Sequence, residues 1–181
     1  MMAAGPADAG PRVAMLAAVE QGSIHVPPKG TRGSRFVGGV LMRLARPSFN
    51  RQVRRYTRAT TAEPATFMGF PVCVLTTVGA RSGKERQHVL GAFPDGHDAW
   101  LIVASKGGSA THPDWFHNIA KNPDKVRVQI GNRKFHAHVE SLTGNEREVA
   151  YARVVAVAPV YGDYPKKTDR EIPVLRVTPA S

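Results

Sequence analysis

Apolar residues alternate with polar ones over a long stretch in the second half of the chain. The alternation lies on both sides of the turn Gly131-Asn132 and places apolar residues at every second position: Val126, Val128, Ile130, Phe135, Ala137 and Val139. A strand with one solvated face has this period of two. The segment therefore predicts a β-hairpin with one buried and one wet face.

Further strands are predicted from apolar runs and turn signals. The run Val72–Val78 is almost wholly apolar, as expected of a strand buried on both faces. The dipeptide Asp95-Gly96 is a hairpin signal and joins predicted strands at 87–93 and 99–104. A last strand is predicted at 172–177.

Two helices are predicted among these strands. One covers 113–121, with proline in its first turn, and ends at Asn122-Pro123. The other begins at the capping box Thr143-Gly144-Asn145-Glu146 and is interrupted at Pro159. Because the strands are linked mostly by hairpins, the order predicts a mainly β fold with helices (α+β), built as a small closed or half-closed barrel.

The first third of the chain has a different composition. Residues 1–34 are rich in Gly, Pro, Ala and Ser and are predicted to be a flexible tail. Residues 35–60 carry apolar side chains at helical spacing on both sides of Pro47, which predicts two basic amphipathic helices. The barrel domain is assigned to 61–181.

The positive charge is concentrated in that first third. The chain has a net charge of +11, and no Asp or Glu occurs between Gln21 and Ala62. Such a distribution indicates an anionic partner: nucleic acid, a membrane surface or a polyanionic ligand. The arginines of 35–58 either are solvated while the apolar faces pack on the body, or contact an anionic membrane or an acidic ligand. Nucleic acid is disfavoured, because no RNA- or DNA-binding motif is present and aromatic residues are 7% of the chain.

Several classes of protein are disfavoured by what the sequence lacks. The single cysteine, Cys73, excludes a disulfide framework and is predicted to be a core residue. His112 and His117, and likewise His136 and His138, lack the further ligands that complete a usual zinc site, so no metal site is expected. Neither Ser82 nor Ser105 lies in a G-x-S-x-G motif, which argues against a hydrolase. No signal peptide or membrane span is recognised, so a cytoplasmic protein is expected, with attachment to the inner membrane face left open.

The turn after the apolar strand is the strongest candidate for a binding site. Arg81, Lys84 and Arg86 stand among glycines with Glu85 as the one opposing acid. Backbone N–H groups and cations that converge in this way favour an anion, and phosphate is the usual one. The alternative is an ordinary exposed hairpin loop whose cations keep it soluble. A second glycine-containing loop, Ser105–Ser109, would line the same cavity if the sheet curls.

Four separated motifs, in the right order, resemble those of the deazaflavin-dependent nitroreductase family. The resemblance covers roughly Gly69 to Pro179, and the motifs are Leu75-Thr76-Thr77-Val78-Gly79-Ala80-Arg81-Ser82-Gly83-Lys84-Glu85-Arg86, Val103-Ala104-Ser105-Lys106-Gly107-Gly108, the segment from Pro113-Asp114-Trp115 to Pro123, and Thr168-Asp169-Arg170-Glu171-Ile172-Pro173-Val174. It implies a split β-barrel of the FMN-binding type. It also implies hydride transfer from reduced coenzyme F-420 to a quinone, an activated alkene or a nitroaromatic acceptor.

The resemblance also assigns roles to residues. Arg81, Ser82, Lys84 and Arg86 would hold the phosphate and the acidic side chain of the coenzyme. The remaining expected coenzyme contacts are Thr77, Gly83, Ser105, Lys106, Gly107, Gly108, Pro113, Trp115 and Asn118. Tyr161 and Tyr164 would line the acceptor pocket and, with Ser105, are the catalytic candidates. Members of the family commonly have a tyrosine just before Pro159, where this chain has Ala158, so the range of acceptors is open.

Two other functions stay open from the sequence. One is a related barrel that uses FMN in place of the deazaflavin. The other is a non-enzymatic basic module that binds the coenzyme, nucleic acid or a membrane. Barrels of this type are often dimers, so a homodimer is also considered, although no interface can be read from the sequence.

Overall fold

The computed structural model describes residues 24–34 and 51–180, which form eight strands and four α-helices. The strands are β1 (Thr66–Phe67), β2 (Phe70–Val78), β3 (Glu85–Gly91), β4 (Phe93–Pro94), β5 (Trp100–Val103), β6 (Arg127–Ile130), β7 (Arg133–Leu142) and β8 (Val174–Pro179). The helices are α1 (51–57), α2 (Asp114–Lys121), α3 (Gly144–Val157) and α4 (Tyr164–Lys167). Short 3-10 helices occur at Lys106–Gly108, Pro123–Lys125 and Pro159–Asp163.

The strands form one antiparallel sheet in the order β1-β2-β6-β7-β8-β5-β4, with β3 paired to β2. Strand β2 therefore pairs with β1, β3 and β6, and it carries the basic turn at its end. The predicted strand at 87–93 is divided, because pairing with β2 ends at Gly91 and Phe93 then pairs with Leu101 of β5. The antiparallel, hairpin-linked order is the one that the sequence predicts for a half-closed barrel.

The predicted hairpin is present as β6 and β7, with Val128 opposite Phe135 and Gln129 opposite Lys134. Its apolar positions are buried or half-buried, as the alternation predicts. Gln129 differs, since it belongs to the polar face but is buried. The carboxyl end of α1 covers it, and the Gln129 Nε2 atom donates to the carbonyl oxygens of Tyr56 and Gly131 at 3.2 and 2.8 Å.

Helices α2 and α3 start close to the predicted positions. Pro113 is the N-cap of α2, and Thr143 is the N-cap of α3. The predicted capping box is wrong, because the Thr143 side chain makes no capping hydrogen bond. The Glu146 carboxylate instead lies 2.8 Å from the Arg176 guanidinium on β8. A long-range ion pair thus replaces the local bond that the motif predicts.

The core has two parts, one under α2 and one under α3. The first contains Phe116 and Ile119 of α2 together with Cys73 and Leu75 of β2. The second contains Tyr151 and Val154 of α3 and is completed by an aromatic group: Phe70, Phe93 and Tyr161. Cys73 is a core residue as predicted, and burial raises the pKa of its thiol to about 12, so the sulfur stays protonated at neutral pH.

Residues 24–34 belong to the predicted tail but lie against the body. The amide N–H groups of Gly30 and Ser34 donate to the carbonyl oxygens of Ala110 and Gly108, both at 2.8 Å. The Thr31 hydroxyl donates to the Asp169 carboxylate at 2.5 Å. These residues of the predicted tail therefore contact the body, because glycines here allow a close approach that composition does not reveal.

The basic amphipathic segment is described only from residue 51. In α1, Val53 is buried and Tyr56 packs on the second core part, while the arginines of α1 and of the turn that follows it are exposed: Arg51, Arg54, Arg55 and Arg58. The expectations for 1–23 and 35–50 lie outside the described residues. Within 24–34 and 51–180, no helix is both long and apolar enough to cross a bilayer.

Candidate functional site

A cavity of about 690 Å³ lies where the basic turn, β3, α2 and the loop before α2 meet. Its walls are formed by Gly79, Ala80, Arg81, Ser82, Arg86, His88, Lys106, Thr111, His112, Asp114, His117 and Asn118. The structure thus brings the basic turn and Lys106 of the predicted second loop to one cavity, whereas the other residues of Ser105–Ser109 do not line it. Lys84 and Gly83 belong to the turn but do not line the cavity.

The basic turn is closed by its own backbone. The Gly79 N–H donates to the Lys84 carbonyl at 2.9 Å, and the Gly83 N–H donates to the Gly79 carbonyl at 2.8 Å. Gly83 has φ +64°, a conformation that favours glycine. A Cβ atom on Gly79 would lie 2.6 Å from the Ser82 hydroxyl oxygen. The glycines therefore let the chain turn tightly while Arg81 and Ser82 face the cavity.

Asn118 of α2 fixes this turn to the end of β2. Its Oδ1 atom accepts the Ala80 N–H at 2.9 Å, and its Nδ2 atom donates to the Thr77 hydroxyl at 3.1 Å. Asn122 adds a hydrogen bond from Nδ2 to the Val78 carbonyl at 3.2 Å. Thr77 and Asn118, both predicted as coenzyme contacts, are thus buried supports of the turn, and Asn118 also reaches the cavity wall.

The cavity has a positive electrostatic character. Arg81, Arg86 and Lys106 face a single carboxylate, Asp114, among the described lining residues. Glu85 is the acid that opposes these cations in the sequence, but its carboxylate pairs with Arg127 on β6. The amino end of α2 also points here, and no side chain caps its first turn. The arrangement is suited to bind an anion.

Three histidines line the cavity, and sequence reasoning missed them by treating histidine only as a metal ligand. His112 is buried, with its Nε2 atom 2.8 Å from the Pro27 carbonyl oxygen and its Nδ1 atom 3.1 Å from the Arg170 guanidinium. Burial, and then the charges of Arg170 and His117, lower the pKa of His112. Its Nδ1 atom therefore accepts from Arg170, and Nε2–H donates to Pro27. Within the described chain, no cluster of three or more residues suits a metal ion.

The loop after β5 is held in an unusual conformation. Lys106, Gly107 and Gly108 all have positive φ, at +45°, +62° and +78°. The Lys106 ammonium donates to the Thr111 hydroxyl and the His112 carbonyl at 2.9 and 3.1 Å. Positive φ at a lysine costs free energy, so surrounding contacts must impose it.

Arg170 provides those contacts and was not among the predicted site residues. Its buried guanidinium donates to the carbonyl oxygens of Ala104, Ser105, Ser109 and Glu171 at 2.8 to 3.0 Å. Burial lowers the pKa of Arg170, yet the ordinary pKa of arginine is high enough to keep the group charged. The sequence could have indicated Arg170 as a site residue, because it lies in the motif Thr168–Val174.

The remaining predicted site residues do not line the cavity. Ser105 is buried beside Arg170, and Gly108 faces Tyr164 and Lys167, where a Cβ atom would lie 2.8 Å from the Lys167 Cβ. Pro113 caps α2, and Trp115 is buried in the first core part.

Neither of the two predicted tyrosines lines the cavity, and Tyr164 lies beside Gly108, where an added Cβ atom would be 2.9 Å from the Tyr164 carbonyl oxygen. Tyr161 is buried, with its ring 5.4 Å from that of Phe93, and burial raises its pKa. Tyr164 is half-buried, its ring is 5.2 Å from that of Tyr161, and burial raises its pKa as well. Ala158, at the position where the resembled family has tyrosine, is buried in the same core part. Both phenols therefore stay protonated at neutral pH.

A curled antiparallel barrel with a cationic cavity beside one rim is the architecture of a split-barrel oxidoreductase. A family model described as F420H(2)-dependent quinone reductase matches residues 48–179, so the chain belongs to that family. An F420H(2)-dependent quinone reductase of Mycobacterium tuberculosis is 36% identical over 113 residues, which cover 60% of this chain and 73% of the relative.

Two solved structures are similar to the chain. One is described as an F420-H2 Dependent Reductase (FDR-A), with 38% identity, a TM-score of 0.54 and coverage of 62% of this chain and 98% of that one. The other is described as a domain-swapped dimer, with 33% identity, a TM-score of 0.55 and coverage of 76% and 98%. These findings confirm the predicted family, the split-barrel fold and the oxidoreductase class with coenzyme F-420. The FMN and non-enzymatic alternatives are not favoured.

Proposed function

We propose that this protein transfers a hydride from reduced coenzyme F-420 to a quinone, with the coenzyme bound in the 690 Å³ cavity. The observation that carries the proposal is the set of cations on the cavity wall. Neither Arg81 nor Arg86 pairs with a carboxylate in the part of the chain that the structure describes. They are therefore available to a ligand that carries phosphate and carboxylate groups.

The chemistry of the lining residues fits such a coenzyme. Its phosphate and its acidic tail would pair with Arg81 and Arg86, because a guanidinium can donate two parallel hydrogen bonds to either group. The Ser82 hydroxyl and the free N–H groups of α2 would add neutral donors. Lys106 adds a further cation, and its own hydrogen bonds hold it in place. Lys84, outside the cavity, would act on the tail through charge alone.

When bound, the coenzyme supplies the hydride, and the protein supplies position and field. Lys106 lines the cavity and Gly108 contacts Tyr164, so this loop connects the proposed coenzyme site to the tyrosines. Reduction of a quinone to a hydroquinone needs one hydride and one proton. We assign Tyr164 to donate a hydrogen bond to the acceptor oxygen, with the proton coming from that phenol or from solvent. Ser105 orients the loop, and Tyr161 packs edge-on against Tyr164.

A kinetic assay tests the proposal. Purified protein is mixed with reduced coenzyme F-420 and menadione, and the absorbance of the coenzyme is followed. We expect repeated turnover that needs both protein and quinone, and a panel with a nitroaromatic and an activated alkene defines the acceptor range. Tight coenzyme binding without oxidation by any acceptor would contradict the enzymatic function and favour a carrier. A parallel fluorescence titration with FMN is expected to show far weaker binding.

Two further expectations belong to the proposal. A homodimer is supported by the similar structure described as a domain-swapped dimer, and light scattering during size-exclusion chromatography measures the mass. Binding to an anionic membrane surface is supported by the exposed arginines of α1. Sedimentation with phosphatidylglycerol vesicles at two salt concentrations tests it, and no co-sedimentation at low salt would contradict it.

A further inference from the structure

The side chains of β3 that face into the barrel change in polarity along the strand. Arg86, His88 and Leu90 are two residues apart, so they project from the same face. Arg86 and His88 line the cavity, whereas Leu90 packs on the core part that contains Cys73 and Leu75. His88 therefore stands between the cationic wall and the apolar interior.

The Nε2 atom of His88 is buried and has no hydrogen-bond partner among the described residues. His112, in the same cavity wall, has partners at both ring nitrogens. An unpaired buried polar atom destabilises the protein, and each such atom in a native structure needs an explanation. A ligand that enters the cavity and supplies the partner would provide one.

We infer that His88 is a coenzyme-contact residue, whose Nε2 atom forms a hydrogen bond with a polar atom at the edge of the ring system bound in the cavity. The inference rests on the proposed function, because the ring belongs to coenzyme F-420. Side chains two residues apart on a strand are separated by about 7 Å along it. An acidic group held by Arg86 therefore places the next part of the same molecule near His88.

The neutral form of the imidazole suits this contact. Burial lowers the pKa of His88, the Asp114 carboxylate raises it, and the nearby Arg86 lowers it. A neutral imidazole can donate from one nitrogen and accept at the other, so Nε2 can pair with either a ring carbonyl or a ring N–H group. A leucine side chain at position 88 would have no atom that can form this hydrogen bond. Glutamine places an amide close to the position of Nε2, whereas the shorter asparagine places it close to Nδ1.

The test compares His88→Leu, His88→Gln and His88→Asn with His138→Leu, a control on the exposed face of β7. Binding of oxidised coenzyme F-420 is measured by fluorescence titration, and the melting temperature without coenzyme is measured for each variant. We expect His88→Leu and His88→Asn to weaken binding about tenfold, and His88→Gln to stay within about threefold of the parent. Because His88→Leu removes an unpaired polar atom, its melting temperature should be unchanged or higher.

A spectroscopic measurement complements the titration. In the unaltered protein, the ¹⁵N shift of His88 Nε2 should change when the coenzyme is added, and that of His138 should not. Unchanged affinity in His88→Leu, or a parallel loss of affinity and melting temperature, would overturn the inference and leave the proposed function standing. Failure of the unaltered protein to bind the coenzyme at all would overturn both.

Discussion

Two pairs of arginines in this protein have opposite surroundings. Arg81 and Arg86 are exposed at the cavity, and no carboxylate of the described residues pairs with them. Arg147 and Arg170 are buried, and their guanidinium groups donate to backbone carbonyl oxygens of the loops that flank the barrel: those of Ala104, Ser105, Ser109, Glu171 and Ile172.

The difference shows that arginine serves two roles in this protein, as a buried structural residue and as an exposed residue available to a ligand. Burying a guanidinium is costly unless its five N–H donors find acceptors. Backbone carbonyls provide most of the acceptors here, and the Glu148 carboxylate is a further partner of Arg147. The buried pair therefore acts as scaffold. The exposed pair keeps its donors available, so its partner comes from outside the chain. Substitutions in the two pairs should separate stability from binding.

The largest expected effect is on stability, in Arg170→Met. The change removes the Arg170 donors from four carbonyl oxygens and from the Nδ1 atom of His112. The Ser105 carbonyl keeps the Gly108 N–H at 2.9 Å, and the Ser109 carbonyl keeps the Thr168 hydroxyl at 3.4 Å. Since each unpaired buried group costs about 1–3 kcal/mol and water will reach some of them, we expect a loss of about 4 kcal/mol in the free energy of unfolding. Urea denaturation measures it, with the exposed Arg54→Met as the matched control. A loss below about 1 kcal/mol would show that Arg170 is not scaffold.

The next effect is on binding, in the double variant Arg81→Ala/Arg86→Ala. Loss of two charge-assisted contacts should weaken binding of coenzyme F-420 about a hundredfold, and the free energy of unfolding should change by no more than about 0.5 kcal/mol. Arg54→Ala/Arg55→Ala is the control, because it removes the same charge from α1. Affinity equal to that of the control at moderate ionic strength would mean that the coenzyme binds elsewhere.

The same contrast explains how much the sequence could predict. The β6–β7 hairpin, α2 and the position of the basic turn depend on local patterns, namely a period of two, a proline start and a glycine turn. Local sequence determines these features, and the structure agrees with them. Lys106 also lies at one cavity with the basic turn.

Features that depend on distant residues were not predicted. The role of Arg170 needs partners such as His112, which is 58 positions away, and Glu85 pairs with Arg127 rather than with its neighbours. Thr143 could have capped α3, but Glu146 pairs with Arg176 of β8. Each of these pairings forms only when distant segments of the chain pack together, so no local sequence pattern predicts it.

Asn118 combines the two roles that the arginine pairs divide between them, because it supports the turn and also reaches the cavity wall. Asn118→Ala removes an acceptor from the Ala80 N–H and a donor from the Thr77 hydroxyl. We expect the free energy of unfolding to fall by about 2 kcal/mol and coenzyme binding to weaken about fivefold, since the turn loses its fixed position. Urea denaturation and fluorescence titration measure the two effects. Asn132→Ala removes one exposed side-chain bond and serves as the control; a loss of stability with unchanged affinity would make Asn118 scaffold alone.

The smallest expected effect is on the pH dependence of stability. Burial and Arg170 lower the pKa of His112 below its ordinary value of 6.5. The unfolded chain therefore takes up a proton first as the pH falls below 6.5, and this favours unfolding. His112 contributes its full stability above that pH and should lose at most about 1.4 kcal/mol per pH unit below it, with His88 adding to the slope in the same direction.

Variants separate this contribution from that of the acids. Burial and nearby charges lower the pKa of His112, whereas hydrogen bonds from Thr31 and Arg32 lower the pKa of Asp169 to about 2. The aspartate therefore affects stability only below its ordinary pKa of 3.8, outside the histidine window. His112→Gln can keep the bond to Pro27 but cannot be protonated, so its stability should fall less between pH 6.5 and 5.5. An unchanged slope would mean that the pKa of His112 is the same in the folded and the unfolded chain, so that burial and Arg170 do not disfavour its protonation.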